Sequence, residues 1–259
     1  MWAFAGLSVV NAIPSWLGST MAINIRIEVN VEEGKGVNSN LTKTIIDYFR
    51  SKLGIPELKV TVKSPIPPAS GLKTSSAVAV ALIEAIKTKY KLLNIDTPKL
   101  AAELSIKAGV SVTGAYDDAI AAYHGGISFT NNKERKIIKL RNPPEDIVAV
   151  ILVKGNRPKI DYSYLKRFEN LFKEIFRIAL QGDVITAMRL NGIAVAEILG
   201  YDTTLIRKAL EHNALASGIS GNGPSIFAIT KKGEEGPIVD LFLNAGEVMI
   251  AEPVNITRL

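Results

Sequence analysis

The stretch SPIPPASGLKTSSAVAVALIEAI, from Ser64 to Ile86, brings a proline-rich run, a glycine and four consecutive polar residues to the start of an apolar helical pattern. A strand, a glycine-containing turn and a helix start together make an anion site. The first turn of a helix carries unpaired N–H groups and a partial positive charge. Gly71 lets the backbone approach a ligand closely, Lys73 adds a full charge, and Thr74, Ser75 and Ser76 offer hydroxyls to phosphate or to Mg²⁺. The spacing is not that of a Walker A loop, because Leu72 and Ile66 or Pro67 stand where that motif has glycines. Polar residues at this position also read simply as a helix cap.

Two other stretches bear on that choice. SGISGNGPS, Ser217 to Ser225, sets Gly218, Gly221 and Gly223 among Ser220, Asn222 and Ser225; it reads as a second ligand loop or as a flexible connection. TGAYDDAI, Thr113 to Ile120, places Asp117 and Asp118 side by side near the start of a short helix, where acids also favour the helix dipole. Neighbours on a helix point about 100° apart, so the two aspartates are expected to have different roles. Phosphoryl transfer needs a phosphate cradle, a divalent cation and a carboxylate that orients or deprotonates the acceptor hydroxyl. The three stretches together supply those parts.

The elements that must position them follow from periodicity. Ala22–Val31 alternates as a strand with one wet face, Leu41–Gly54 has helical spacing and a glycine stop, and Leu58–Ser64 alternates again. A long helix is predicted from Thr74 to Leu93, and another opens at Thr97-Pro98 with Thr97 as its cap. Gly109–Thr130 reads as loop, short helix, glycine pair and strand; Asp146–Gly155 as a buried strand. Helices are expected from Asp161 to about Leu180, from Gly182-Asp183 to Gly200 and from Asp202 onward. The glycine-rich loop from Ser217 then runs into a strand, and a helix (about Pro237–Ala245) and a strand (about Glu247–Ile256) close the chain. Strands and helices mix without strict alternation, which predicts an α+β fold. A boundary is expected beside Asn142-Pro143-Pro144, giving domains 1–145 and 146–259.

Composition narrows the function classes. The chain has 259 residues, no cysteine, two histidines (His124 and His212) and a net charge of +6. That leaves no disulfide framework, no thiolate nucleophile and no histidine-rich metal centre, and it fits a cytoplasmic protein. His124 and His212 read as structural or surface residues. The basic residues are spread along the chain rather than clustered with aromatics, which favours an anionic small molecule over nucleic acid. Residues 1–25 carry no charged side chain but are broken by Asn11, Pro14, Ser15 and Gly18. They read as a buried strand-and-loop region, not a membrane span.

In this order, the three motifs resemble those of the GHMP kinase superfamily, whose middle motif is roughly P-x-x-x-G-L-G-S-S-A; here Pro67–Ala77 reads PPASGLKTSSA. The GLKTSSA form, with TGAYDDA, LNGIAVAEILGYD and SGISGNGPS, resembles the archaeal-type shikimate kinases within that superfamily, from Asn11-Ala12-Ile13 to about Ile229. The resemblance implies a two-domain fold, with an N-terminal domain like ribosomal protein S5 domain 2 and a ferredoxin-like C-terminal domain. It implies ATP and Mg²⁺ and transfer of the γ-phosphate to the 3-hydroxyl of shikimate by a monomer or homodimer. The nucleotide would lie on Pro68, Ala69, Ser70, Gly71, Leu72, Lys73, Thr74, Ser75 and Ser76, with Gly221, Asn222 and Gly223 opposite. Ser75 is the match for the Mg²⁺-ligating serine, and Glu103 is the acidic candidate for the metal. Asp117 matches the catalytic aspartate, with Lys73 beside it; Asp118, Ser220 and Arg157 are placed at the substrate. Arg141, Lys159 and Arg189 are further candidates for anchoring the acceptor carboxylate. The first motif, NAIPSWLGS, departs from the superfamily by having no acid. The alternatives are the same fold acting on another alcohol, such as homoserine or mevalonate, or a nucleic-acid-binding module.

Overall fold

Strand β2, Leu17–Glu33, is the spine of the first half of the chain. Its alternation is realised: Ile23, Ile25, Ile27 and Val29 are buried, while Asn24, Arg26, Glu28 and Asn30 face out. The structure, a computed structural model, describes residues 1–155 and 161–258. Strand β1, Trp2–Val10, pairs antiparallel with β2 from Trp2↔Glu28 to Val10↔Ser19. Strands β3 (Leu58–Lys63) and β4 (Ile127–Asn131) pair with opposite ends of β2, and β5 (Lys136–Arg141) adds to β4. The uncharged start of the chain is thus a hairpin of the first sheet, almost wholly buried.

Four helices belong to this half: α1 (Asn40–Leu53), α2 (Thr74–Lys89), α3 (Thr97–Lys107) and α4 (Tyr116–His124). Gly54 ends α1 in the left-handed conformation, as the glycine stop predicts. Helix α2 is buried on every face from Ser76 to Ile83, packed between β1, β2 and the other three helices. It stops at Lys89, short of the expected Leu93. Lys91 and Asn94 take left-handed φ of 52° and 61°, and Leu92 packs on the core from a turn. The cap of α3 is Asp96 rather than Thr97; its carboxylate accepts from Lys99 N at 3.1 Å. Thr97 moves inside the helix and donates its hydroxyl to Glu84 of α2.

The second sheet has the order β7-β8-β6-β9, wholly antiparallel, with β6 at Ile147–Leu152, β7 at Ala216–Ile219, β8 at Ile226–Lys231 and β9 at Val248–Ala251. Helices α5 (Glu169–Gln181), α6 (Val184–Ile198) and α7 (Thr204–Glu211) lie between β6 and β7, and α8 (Gly236–Leu243) between β8 and β9. Chain order and strand order together are the βαββαβ arrangement of ferredoxin-like sheets. A 3₁₀ turn at Tyr164–Phe168 precedes α5, so Asp161 caps a bend at Ser163 and not the helix itself. Phe172, Ile175, Phe176 and Ala179 form the buried stripe of α5, each large side chain contributing about 1.5–3 kcal/mol by leaving water.

Two strands had no sequence expectation. In β5, adjacent Ile137 and Ile138 are both exposed, which masks alternation. In β7, Gly218 looks like loop but serves contact: a Cβ on it would lie 2.3 Å from Cα of Gly192 in α6. The closing strand is also shorter than expected. Beyond Ala251 the chain leaves the second sheet and returns to the first, where Val254 N donates to Ala22 O at 3.0 Å and Thr257 N to His124 O at 2.8 Å. One apolar core runs through both halves. Among the described residues no helix is long and apolar enough to cross a membrane.

Candidate active site

The opening stretch does not cap its helix. The N-cap of α2 is Lys73, in the left-handed conformation at φ 64°, and no side chain accepts an N–H there. Thr74 Oγ1 is buried without a hydrogen-bond partner. Ala69, Gly71 and Lys73 alternate as left-handed residues, the type of backbone that forms anion-binding concavities. A polar run that neither caps nor satisfies itself, at the end of an all-round buried helix, suits a phosphate cradle.

Gly71 is required by contact as well as conformation. Its φ is 90°, and an added Cβ would lie 2.3 Å from Ser220 O. Here the second glycine-rich stretch meets the first. Ser220 Oγ donates to Gly71 O at 3.0 Å, and Ser225 N donates to Ser70 O at 3.1 Å. The start of the chain locks the same junction: Gly221 N donates to Ser8 Oγ at 3.1 Å, and Asn11 Nδ2 to Asn222 Oδ1 at 2.7 Å. The strand end, the loop before α2 and the second glycine-rich loop therefore form one wall.

That wall borders an open cavity of about 160 Å³. Asn11–Ile13, Ala69–Gly71, Lys73–Ser76, Gly221 and Asn222 line it together with Ser105, Val110–Thr113, Ala115, Asp117, Asp118 and Tyr162. Lys73 is the one cationic side chain lining it among the described residues.

The aspartate pair sits at the start of α4, below the left-handed Ala115. Asp117 is buried; its Oδ1 accepts from Asn132 Nδ2 at 2.8 Å, and Asn132 Oδ1 in turn accepts from Asp117 N at 3.2 Å and Thr130 Oγ1 at 2.7 Å. Ser128 Oγ donates to Asp117 O at 2.8 Å. Gly18 makes room for the carboxyl, since a Cβ there would lie 2.5 Å from Asp117 Cγ. Thr20 Oγ1 stands 3.1 Å from Asp117 Oδ2 and 2.6 Å from Asp118 Oδ1. Lys73 Nζ is 3.0 Å from Asp118 Oδ1, with the two side chains only 12% and 11% exposed. Burial, then the Asp118 charge, push the Asp117 carboxyl up to about 7, against the opposing pull of Lys73, Asn132 and Thr20.

Most of the sequence candidates converge here, and some do not. Leu72 is fully buried in the core and Pro68 lies outside the cavity lining, so neither side chain lines the cavity. The hydroxyl of Ser220 and the backbone of Gly223 build the wall instead of lining the cavity; Gly223 packs against Tyr201. Glu103 is not brought to the cavity: it is exposed on α3 and pairs with Arg135 at 3.7 Å. Arg141 of β5 donates to Leu180 O at 3.2 Å and joins the two halves, while Arg189 Nε donates to Leu215 O at 2.9 Å within the second half. Arg157 and Lys159 lie outside the described residues. His124 is structural, its Nδ1 2.7 Å from Arg258 O. Sequence reasoning missed Thr20, Asn132, Gly18 and Ser8. The period-two pattern places Gly18 and Thr20 on one face of β2, but it does not show which helix covers that face.

Among the described residues no three His, Asp or Glu side chains group as a metal site. A Mg²⁺ ion bound mostly through phosphates and water needs no such cage. The orphaned Thr74 hydroxyl and Ser75, both on the cavity, are compatible neutral oxygen donors.

The chain matches the family models for the GHMP kinases N terminal domain over residues 40–126 and GHMP kinases C terminal over residues 164–244. It belongs to the GHMP kinases. This GHMP kinase is 34% identical to the shikimate kinase of Methanothermobacter thermautotrophicus, over 96% of its own length and 93% of the relative's. It is also 34% identical to the shikimate kinase of Pyrococcus furiosus, over 95% and 96% of the two chains. In fold it is similar to the homoserine kinase of Cytophaga hutchinsonii (TM-score 0.68, 20% identity, 99% and 95% of the chains). It is similar likewise to the mevalonate kinase of Methanococcus jannaschii (TM-score 0.73, 14% identity, 100% and 98% covered). As a kinase it takes ATP as phosphate donor.

Proposed function

We propose that this GHMP kinase phosphorylates shikimate, moving the γ-phosphate of ATP to the 3-hydroxyl and giving shikimate 3-phosphate for aromatic amino acid biosynthesis. The observation that carries the reading is the uncapped start of α2, with its unpartnered Thr74 hydroxyl, in one cavity with the Asp117–Asp118 pair. The acceptor's identity is supported by the full-length likeness to two shikimate kinases.

On this reading the first-turn N–H groups of α2 and the Ala69–Ser76 backbone hold the phosphates. The Gly221–Asn222 loop closes the site, and the aspartate pair sets the acceptor hydroxyl in line with the γ-phosphorus. Mg²⁺, when bound, would neutralise charge on the transferring phosphates, with Ser75 as its protein ligand. Positioning and charge stabilisation dominate the rate in such transfers, which suits a site built from backbone and few side chains.

The test is ADP release with Mg-ATP and a panel of shikimate, homoserine and mevalonate. Turnover on shikimate alone is the expected result. Turnover on homoserine or mevalonate without shikimate would overturn the acceptor.

A further inference from the structure

At the opposite end of α4 from the aspartate pair, the last described residues fold back on the first sheet. Thr257 N donates to His124 O at 2.8 Å, and His124 Nδ1 lies 2.7 Å from Arg258 O. This brings Arg258 to β1, with its guanidinium carbon 5.3 Å from the centre of a Trp2 ring and 5.1 Å from that of Tyr123. Arg26, opposite Phe4 in the β1–β2 register, reaches Trp2 at 4.2 Å. Both arginines line one open cleft. Trp2, Phe4 and Val254 give it an apolar lining, and it shares no residue with the catalytic cavity.

Two positive charges gathered on one side chain repel each other, and here nothing offsets them. Among the described residues neither guanidinium has an ion pair or a hydrogen-bond acceptor. No acid lines the cleft. Glu252, whose N donates to Asn24 Oδ1 at 2.9 Å, spends its carboxylate on Lys232 at 3.0 Å. An aromatic face attracts a cation without neutralising it, so the rings hold both guanidinium groups in place with their N–H donors unspent.

We propose that this cleft is a binding site for a small carboxylate with an apolar body. The carboxylate takes donors from Arg26 and Arg258, whose planar forks match it, and the body lies against Trp2, Phe4 and Val254. A bare inorganic anion leaves the apolar lining unused, and a neutral ring leaves both charges unmet. The site is independent of the phosphoryl-transfer reading, because none of its residues takes part in that reading.

The test is a titration of the full chain with benzoate, followed by NMR through the indole N–H signals of its two tryptophans. Trp16, whose carbonyl accepts from Asn132 N at 2.8 Å, reports on the side of Asp117. The expected result is a saturable shift of the Trp2 signal with the Trp16 signal unmoved. Arg26→Gln and Arg258→Gln are each expected to weaken benzoate at least about tenfold, the scale of one lost charge-assisted hydrogen bond. Arg26 is exposed, so Arg26→Gln should keep Tm and decides the matter alone if Arg258→Gln loosens the fold. The proposal is overturned if Trp2 does not respond, if only Trp16 does, or if the folded arginine variants bind benzoate as wild type does. It is equally overturned if inorganic phosphate gives the same saturable shift, which would make the cleft a general anion site. The same shift with benzamide would make it merely apolar and would overturn the proposal too.

Discussion

Ser220 Oγ donates to the carbonyl of Gly71 at 3.0 Å, joining residues 149 apart in sequence and fastening the second glycine-rich loop to the first. The contact leaves no space at Gly71, where a Cβ would meet Ser220 O at 2.3 Å in a left-handed backbone. Gly71→Ala is expected to cost about 1–3 kcal/mol from strain alone, with the clash adding to it. Thermal unfolding and nucleotide titration should show lower Tm and weaker ATP binding together. Wild-type affinity in this variant would mean the loop does not hold phosphate.

Gly18 makes room for an acid rather than for the glycine-rich loop. A Cβ there would lie 2.5 Å from Asp117 Cγ, so Gly18→Ala must displace that carboxyl from Asn132 and Thr20. A misplacement of about 1 Å can cost on the order of a hundredfold in rate. Steady-state kinetics should show the loss in kcat, with KM for ATP nearly unchanged.

Glu103 is expected to be silent. It is exposed and its partner Arg135 is 3.7 Å away, a geometry worth about 0–1 kcal/mol. Glu103→Gln should leave both kcat and the Mg²⁺ concentration for half-maximal rate unchanged. A raised Mg²⁺ requirement would bring Glu103 back as a metal ligand.

Lys73 and Asp118 form a pair that is mostly buried, so removing one partner strands the other. Lys73→Met is expected to lose about 1–3 kcal/mol of stability along with activity, the cavity side softening the penalty. The double variant Lys73→Met, Asp118→Asn should recover stability without recovering activity. Chemical denaturation of the four proteins completes the cycle; additive losses would mean the two side chains do not interact.

Asp117 makes stability depend on pH with a definite sign. Its folded pKa, about 7, lies above its ordinary value of 3.8, so between those values the folded state holds a proton that the unfolded state has lost. The contribution is complete below the ordinary value and is lost as pH rises through the folded one. The slope for one proton is at most about 1.4 kcal/mol per pH unit. Relative to Asp117→Asn, wild type should lose stability from about pH 4 to 7. A difference that does not change with pH would mean Asp117 is ionised throughout.

Sequence by itself determined what depends on neighbours along the chain. The alternation of β2, the glycine stop of α1 and the strand–glycine–helix order around Gly71 are local patterns, and each appears in the structure where it was expected. Tertiary structure decided what depends on approach between distant segments. Thr20 and Asp117 are 97 positions apart, and Asn11 and Asn222 are 211 apart. No periodicity within either segment records which side chain arrives opposite. The choice between cap and cradle at Thr74 also required the fold, because it turns on whether nearby side chains spend themselves on the helix end, and they do not. Likewise the sequence predicts different roles for Asp117 and Asp118 but not the partners of either. Only the fold gives Asp117 its partners Asn132 and Thr20 and sets Asp118 against Lys73.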